Sequence, residues 1–524
     1  MFLAAGSAGR LGSGYTEGVF ESAELPLRLS KPDFEKRAPG VREGLLEAQA
    51  RLREADFSVV VVIAGAEGAG KGQTVNTLLE WMDTRGITSH ALGAPSEEER
   101  ERPPFFRFWR RLPQRGRIGI FFGSWYTFPV LEHSFGRIDD ARFDAELARI
   151  VEFERMLAAE RVMLLKFWLH LTKKQQKKKF KKLEGDPDTA WRVTPRDWEY
   201  HETYDEFVRS AGHALRTTST APAPWEVVAS WDDRYRNLSV AEHLLHTLEK
   251  RLDVPPPSSP RPPPPAPHAE INVLNSLDLS KHLGRRDYER KLSSYQGRLG
   301  RFARCMNQAD CAAVLVFEGP DAAGKGGCIR RVTGALDSRF YRVIQTAAPT
   351  DEEEARPYLW RFWRHVPRRG YFTVYDRSWY GRVLVERVEG LCAAADWQRA
   401  YTEINAFEAQ LADAGTLVLK FWLAIGSHEQ LRRFREREAT GHKRYKLTAE
   451  DWRNREKWLD YEAAACDMIE RTSTEYAPWH LVAAEDKHYA RIEVLKTLCD
   501  ALERRVGRDE KPGAKKRGKA RKKS

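Results

Sequence analysis
The sequence predicts an α/β fold, a parallel sheet covered by helices on both faces and built twice in tandem. Buried apolar runs such as "AAVLVFEG" (312–319) and "GTLVLKFWLAI" (415–425) alternate with helical stretches, the order expected of parallel strands joined by crossover helices. A glycine-rich turn follows the first run of each half, "GAEGAGKG" (65–72) and "GPDAAGKG" (319–326). Five landmarks then recur at a single offset of 254 residues. Lys71 pairs with Lys325, Arg107-Phe108-Trp109-Arg110 with Arg361-Phe362-Trp363-Arg364, and Lys166-Phe167-Trp168-Leu169 with Lys420-Phe421-Trp422-Leu423. Asp197-Trp198 pairs with Asp451-Trp452, and Pro224-Trp225 with Pro478-Trp479. Chance does not hold one offset across five landmarks, so the chain is a duplication with hardly a net insertion.

The elements of the second copy follow in order. A helix over 288–306 leads into the strand at 312–318, then the glycine loop, then a helix through 326–336. The strand "YFTVYD" (371–376) is next, then a helix, then the buried strand at 415–425. A long charged helical region containing "SHEQLRRFRERE" closes the pattern. Between the copies "VPPPSSPRPPPPAPHA" (254–269) can pack as neither helix nor strand and reads as a semi-rigid polyproline spacer. The expected organisation is a flexible leader (1–19), a first domain (20–253), the linker (254–269), a second domain (270–506) and a basic disordered tail (507–524).

Composition limits the function classes. At 524 residues the chain is long for one core, and 42% apolar content suits a globular protein. Its mean hydropathy of −0.59 agrees. The longest apolar run, around 57–66, is too short to span a bilayer, and "MFLAAGSAG" lacks the basic start of a secretory signal. The expected location is cytoplasmic, with no membrane partner. Six cysteines (Cys305, Cys311, Cys328, Cys392, Cys466, Cys499) form no close CxxC pair, which points to reduced thiols rather than a zinc site or disulfide framework. Net charge is +12, of which eight lysines and arginines fall in 511–524 with no acid, leaving +4 elsewhere. That tail could touch a polyanion or stay solvated.

Three stretches of the second copy carry chemistry. In 319–326 the pattern G-x-x-x-x-G-K lies at a strand-to-helix turn, where Gly319, Gly324 and Gly326 let backbone N–H groups approach phosphate and Lys325 bridges phosphates. Gly326 stands where a magnesium-binding hydroxyl is usual, so another group must hold the metal, and Asp321 is the candidate. In "VYDRSWYGRVLVE", Asp376 ends a hydrophobic strand, the usual place for a carboxylate that reaches magnesium or the acceptor hydroxyl or phosphate. Arg377 follows, and Arg382 and Glu386 share a helical face four residues apart. In "RFWRHVPRRG", Arg361 and Arg364 offer forks for phosphate, while Phe362 and Trp363 could be core or could stack a base.

Together, G-x-D-x-x-G-K, "DRSWYGRVLVE", "LWRFWRHVPRRG" and "LKFWLAIGSHEQLRRF" resemble the family-2 polyphosphate kinases, and the tandem layout resembles their two-domain, AMP-using subgroup. The resemblance covers nearly the whole chain. It implies a P-loop kinase-like three-layer parallel sheet with a helical lid, duplicated in tandem. It implies phosphoryl transfer from inorganic polyphosphate to AMP with Mg2+, leaving GMP open as a second purine. By the same resemblance, Asp321, Lys325, Asp376, Arg377, Arg382 and Glu386 would be catalytic, with Asp321 and Asp376 on the metal. Arg361, Arg364 and Lys420 would contact nucleotide or polyphosphate.

The first copy is blanked. In "FFGSWYTF" (121–128), Phe122 replaces Asp376, Gly123 replaces Arg377 and Phe128 replaces Arg382, while Glu67 stands for Asp321. Phosphoryl transfer depends on charge placed at the reacting group, so this copy is expected to be an inert scaffold. Its "KKQQKKKFKK" run could still hold polyanion. Two rival functions stand beside the main one, an ATP-dependent P-loop nucleotide kinase and a non-enzymatic basic binder of polyanion or nucleic acid. The first does not explain the arginine and lysine excess around the site. The second does not explain Asp321 and Asp376, which would repel a phosphate backbone unless metal were bound. Whether the protein is a homo-oligomer is left open.

Overall fold
A computed structural model describes residues 18–254, 272–306, 310–441 and 447–507. The expected leader up to residue 17, residues 255–269 of the linker and residues 508–524 of the tail lie outside them. The chain divides into two compact units. The first gathers residues up to 95, 107–256 and 349–360; the second gathers 96–106, 257–348 and 361 onward.

Each unit is built on five parallel strands. In the first they are β1 (Ser58–Gly65), β2 (Ile87–Ala91), β3 (Ile118–Phe122), β4 (Val162–His170) and β5 (Trp225–Ala229), in the order β2-β3-β1-β4-β5. In the second they are β6 (Ala312–Glu318), β7 (Tyr341–Gln345), β8 (Phe372–Asp376), β9 (Thr416–Ala424) and β10 (Trp479–Ala483), in the order β10-β9-β6-β8-β7. Every strand of the second sheet begins 254 residues after its twin, as Ser58 and Ala312 show. The offset seen in five landmarks therefore extends to the whole topology.

The central strands are apolar throughout because both their faces are covered. All seven residues of β6 are buried. Ala313, Leu315 and Phe317 point to one face, against Leu299, Val332 and Leu495 from the helices Arg285–Cys305, Lys325–Thr333 and Lys487–Val506. The other face carries the helix Ala394–Asp413, where Phe407 meets Trp363 and Trp379 edge-on at 4.9 and 5.0 Å. Phe362 and Trp363 are 3% and 1% exposed. Of the two roles open to them, this structure gives them core packing.

All six cysteines are free thiols. Among the described residues no helix is long and apolar enough to cross a membrane.

Candidate active site
Strand β6 ends in Glu318, and the chain turns at once into the glycine loop. Gly319 has φ +140°, and a Cβ there would sit 2.5 Å from the Leu423 carbonyl oxygen, so only glycine lets the loop leave between β6 and β9. Gly324 has φ +112° and caps the helix Lys325–Thr333, whose first turn includes Gly326. The helix N-terminus thus faces the loop interior with its unpaired N–H groups, the arrangement that holds phosphate. Lys325 bends back over the loop and donates to the Gly319 and Pro320 carbonyls at 2.6 and 3.2 Å. Burial pulls its ammonium below its ordinary value, against the pull of Asp321.

Asp321 is the hub of the site. Its Oδ1 accepts from Arg377 Nη2 at 2.7 Å, its Oδ2 from Asn454 Nδ2 at 3.0 Å, and its backbone carbonyl from Gln430 Nε2 at 3.2 Å. Burial would raise the carboxyl, but the charges of Lys325 and Arg377 outweigh it and hold the group below its ordinary value. Arg377 reaches this position because its backbone is left-handed, φ +61°, directly after β8. Its amide donates to the Phe317 carbonyl, which ties the end of β8 to β6.

Asp376, the last residue of β8, lies opposite Phe317 in the ladder. No hydrogen bond or ion pair engages its carboxylate among the described residues, though it acts electrostatically on Lys325 and Glu318. Arg382 and Glu386 form an ion pair at 2.9 Å, but not on one regular helix. A 3-10 turn (Trp379–Val383) breaks at Leu384 before a short helix (Val385–Val388). Arg361 is half-buried beside Tyr375, and Arg364 is exposed.

Lys420 is a correction. It is fully buried in β9 and gives its three donors to Glu408 Oε2 (2.7 Å), the Tyr380 hydroxyl (2.8 Å) and the Thr472 carbonyl (2.6 Å). With every N–H committed inside the core it cannot reach a substrate, and the "KFWL" motif marks a structural ion pair. Burial pushes the Glu408 carboxyl up and the Lys420 ammonium down, while their mutual attraction opposes both.

Several site residues escaped the sequence reading. Glu318 is 4% exposed and accepts a 2.8 Å hydrogen bond from the Ser378 hydroxyl; burial pushes its carboxyl up. Gln430 and Asn454 come from the charged helical region and close on Asp321. Arg433 is clamped between Glu429 and four carbonyls, those of Ala322, Ala323, Ala484 and Glu485. Only the repeat alignment held a hint, since Glu318 falls on Ala64 and Asn454 on Tyr200 in the blanked copy. A cavity of about 390 Å3 opens beside the cluster, lined by Glu318, Asp321 and Arg377 together with Trp422, Trp458 and Tyr461.

The corresponding loop of the first unit keeps its backbone and differs in its surroundings. Lys71 donates to the Gly65 and Ala66 carbonyls at 3.0 and 3.1 Å and pairs with Glu67 at 3.2 Å. Nothing lies within 4 Å of a Cβ placed on Gly324, whereas one on Gly70 would meet the Arg236 guanidinium at 2.2 Å. Arg236 is fully buried, and it donates to the Ala69 carbonyl and to Asp233. Its counterpart in the second unit is Ala490.

Comparison with known proteins covers nearly the full chain. The family described as "Polyphosphate kinase 2 (PPK2)" matches twice, at residues 28–254 and 282–510. A polyphosphate:AMP phosphotransferase of Pseudomonas aeruginosa is 51% identical over 94% of this chain and 100% of its own. One from Acinetobacter johnsonii is 37% identical over 85% of this chain and 91% of its own. A crystal structure of a Pseudomonas aeruginosa PA01 protein assigned as polyphosphate kinase 2 superposes with a TM-score of 0.85 at 49% identity. It covers 94% of this chain and 100% of that one. Duplicated sheet, glycine loop and charged cluster therefore have one source: the chain belongs to the polyphosphate kinase 2 family.

Proposed function
We propose that the protein moves a phosphoryl group from inorganic polyphosphate to AMP, giving ADP, and that the second unit alone does the chemistry. The observation that carries this reading is the cluster of Glu318, Asp321, Lys325, Asp376 and Arg377 at the ends of β6 and β8, beside a largely apolar cavity of about 390 Å3. The names of the relatives support AMP as acceptor, and GMP is the second purine to test.

The reaction forms a P–O bond on an oxygen of the AMP phosphate as the terminal P–O bond of the polyphosphate breaks, and the shortened chain leaves as an anion. An AMP phosphate is largely dianionic at neutral pH, so its attack needs no general base. The task of the site is therefore positioning and charge. Lys325 and the loop N–H groups would hold the phosphates near the transferred group. Arg377, fixed by Asp321, would meet the charge that develops in the transition state.

Asp376 fits magnesium, because its carboxylate is not committed to a protein partner among the described residues, and Asp321 keeps lone pairs beyond its two hydrogen bonds. Among the described residues no group of three or more possible ligands is assembled. That suits magnesium, which keeps waters and takes one or two carboxylates plus phosphate oxygens. Asp321 and Asp376 would hold the ion, which would supply neutralisation of the phosphate charge. We place the reaction in the cytoplasm, which the free thiols suit.

A donor screen tests the reading. Long-chain polyphosphate should phosphorylate AMP faster than ATP does, EDTA should abolish the reaction, and magnesium should restore it. A faster rate with ATP would make the protein a nucleotide kinase, and binding without turnover would make it a polyanion binder.

A further inference from the structure
The helix Lys173–Glu184 of the first unit carries seven lysines and one acid, a net charge of +6 in 12 residues. Its fold does not need them. Thr172 and Gln175 form a capping box, Phe180 packs on Trp198, and Gln176 donates to the Glu67 carbonyl. These few residues dock the helix on the glycine loop. The lysines work against it, since 174 and 178, 177 and 181, and 178 and 182 are like charges four apart, and the first turn holds no acid to complement the helix dipole.

The distribution of partners narrows the question. Lys173 pairs with Asp205 at 2.6 Å and Lys179 with Asp233 at 3.2 Å, one at each flank. Lys174, Lys177, Lys178, Lys181 and Lys182 lie between them and are all exposed. At about 100° per residue they share an arc of roughly 140°. None of the five has a carboxylate partner among the described residues.

The twin helix of the second unit, Ser427–Ala439, takes the opposite course. It has four arginines and three glutamates, a net +1, and Arg432 pairs with both Glu429 and Glu436. In the blanked copy Gln175 stands for Glu429 and Lys182 for Glu436. The copy that lost the charges for chemistry has thus removed two of the three acids from this helix and added cations.

We propose that this lysine face is a non-catalytic docking surface for inorganic polyphosphate. The inference rests on the reading of polyphosphate as donor. Charge complementarity commits it to that occupant: a flexible chain with a negative charge on every unit can follow a band of exposed ammonium groups without base or shape recognition. Such binding is driven largely by release of counterions, so each contact adds to its salt dependence.

The test uses the full chain with Lys174, Lys177, Lys178, Lys181 and Lys182 all changed to Gln. Long-chain polyphosphate should bind at least about tenfold more weakly at low salt, and the slope of log K against log salt should fall by about three. Saturating polyphosphate should leave kcat unchanged, and the melting temperature without polyphosphate should not drop, because repulsion has been removed. The same five positions changed to Arg should bind as the wild type does. If the Gln variant folds poorly, Lys177→Gln with Lys181→Gln replaces it and should show a smaller shift of the same sign. Unchanged affinity and slope would overturn the proposal while leaving AMP phosphorylation by the wild type intact. Failure of the wild type to use polyphosphate at all would instead overturn the assignment of the donor. Tighter binding of single-stranded DNA than of polyphosphate, lost in the Gln variant, would assign the face to nucleic acid and also overturn it.

Discussion
The two glycine loops share a backbone plan and differ in what surrounds them. Lys71 and Lys325 each fold back on the two carbonyls that begin their loops. Beneath them the same buried quartet recurs, Trp125, Tyr126, Glu154 and Lys166 matching Trp379, Tyr380, Glu408 and Lys420, with the lysine–glutamate contact at 2.7 Å in both. Above them the charges part. Glu318, Asp376 and Arg377 fall on Ala64, Phe122 and Gly123, and Arg236 occupies the space that stays open around Gly324. The difference separates two layers of constraint. The quartet holds strand to helix, so both copies need it; on the proposed function the cluster would stabilise a transition state, so only a reacting copy would need it.

The strongest way to break the comparison acts on what the copies share. Lys166→Met and Lys420→Met should each destabilise the protein by about 3–5 kcal/mol, since each strands a buried carboxylate. Thermal or urea unfolding measures this. A large loss at one position and none at the other would mean the quartets are not equivalent.

Next come the two loop lysines and Asp376, whose place in the first copy is taken by Phe122. Lys325→Ala or Asp376→Asn should cost at least about a hundredfold in rate, the scale of one lost preorganised charge. Lys71→Ala should cost a few-fold at most. Initial rates of ADP formation, with circular dichroism to show that each variant is folded, decide it. A Lys71→Ala protein as inactive as Lys325→Ala would make the first unit a working partner.

A smaller effect is tied to pH. The Asp321 carboxyl is held below its ordinary value of 3.8 in the folded state. Its ionised form therefore contributes stability that is present above 3.8 and is lost as pH falls through the folded value. Melting temperature against pH should drop less steeply on the acid side for Asp321→Asn than for the wild type. Equal slopes would show that Asp321 is not held by Lys325 and Arg377.

The smallest expected change is in a revival. Phe122→Asp with Gly123→Arg should leave a Lys325→Ala protein without measurable activity. A Cβ on Gly123 would lie 2.3 Å from the Leu92 carbonyl oxygen, and the Arg236 guanidinium still packs against Gly70. Recovered turnover would mean that the first unit is blanked at those two residues alone.

The sequence by itself determined the duplication, the parallel sheets and the core of the site, because each is written locally. Period, offset and glycine position are properties of neighbouring residues, and Asp321, Lys325, Asp376 and Arg377 are carried by motifs that abut strand ends. Tertiary structure decided the rest. Lys420 and Lys325 are both lysines beside apolar runs, yet one is consumed by Glu408 in the core and the other lies over the glycine loop. Gln430 and Asn454, 109 and 133 residues from Asp321, meet it only when the charged helices fold over the loop. Arg236 reaches its own loop from 167 residues beyond Ala69. A charge acts through distance and burial, and neither is a property of position along the chain.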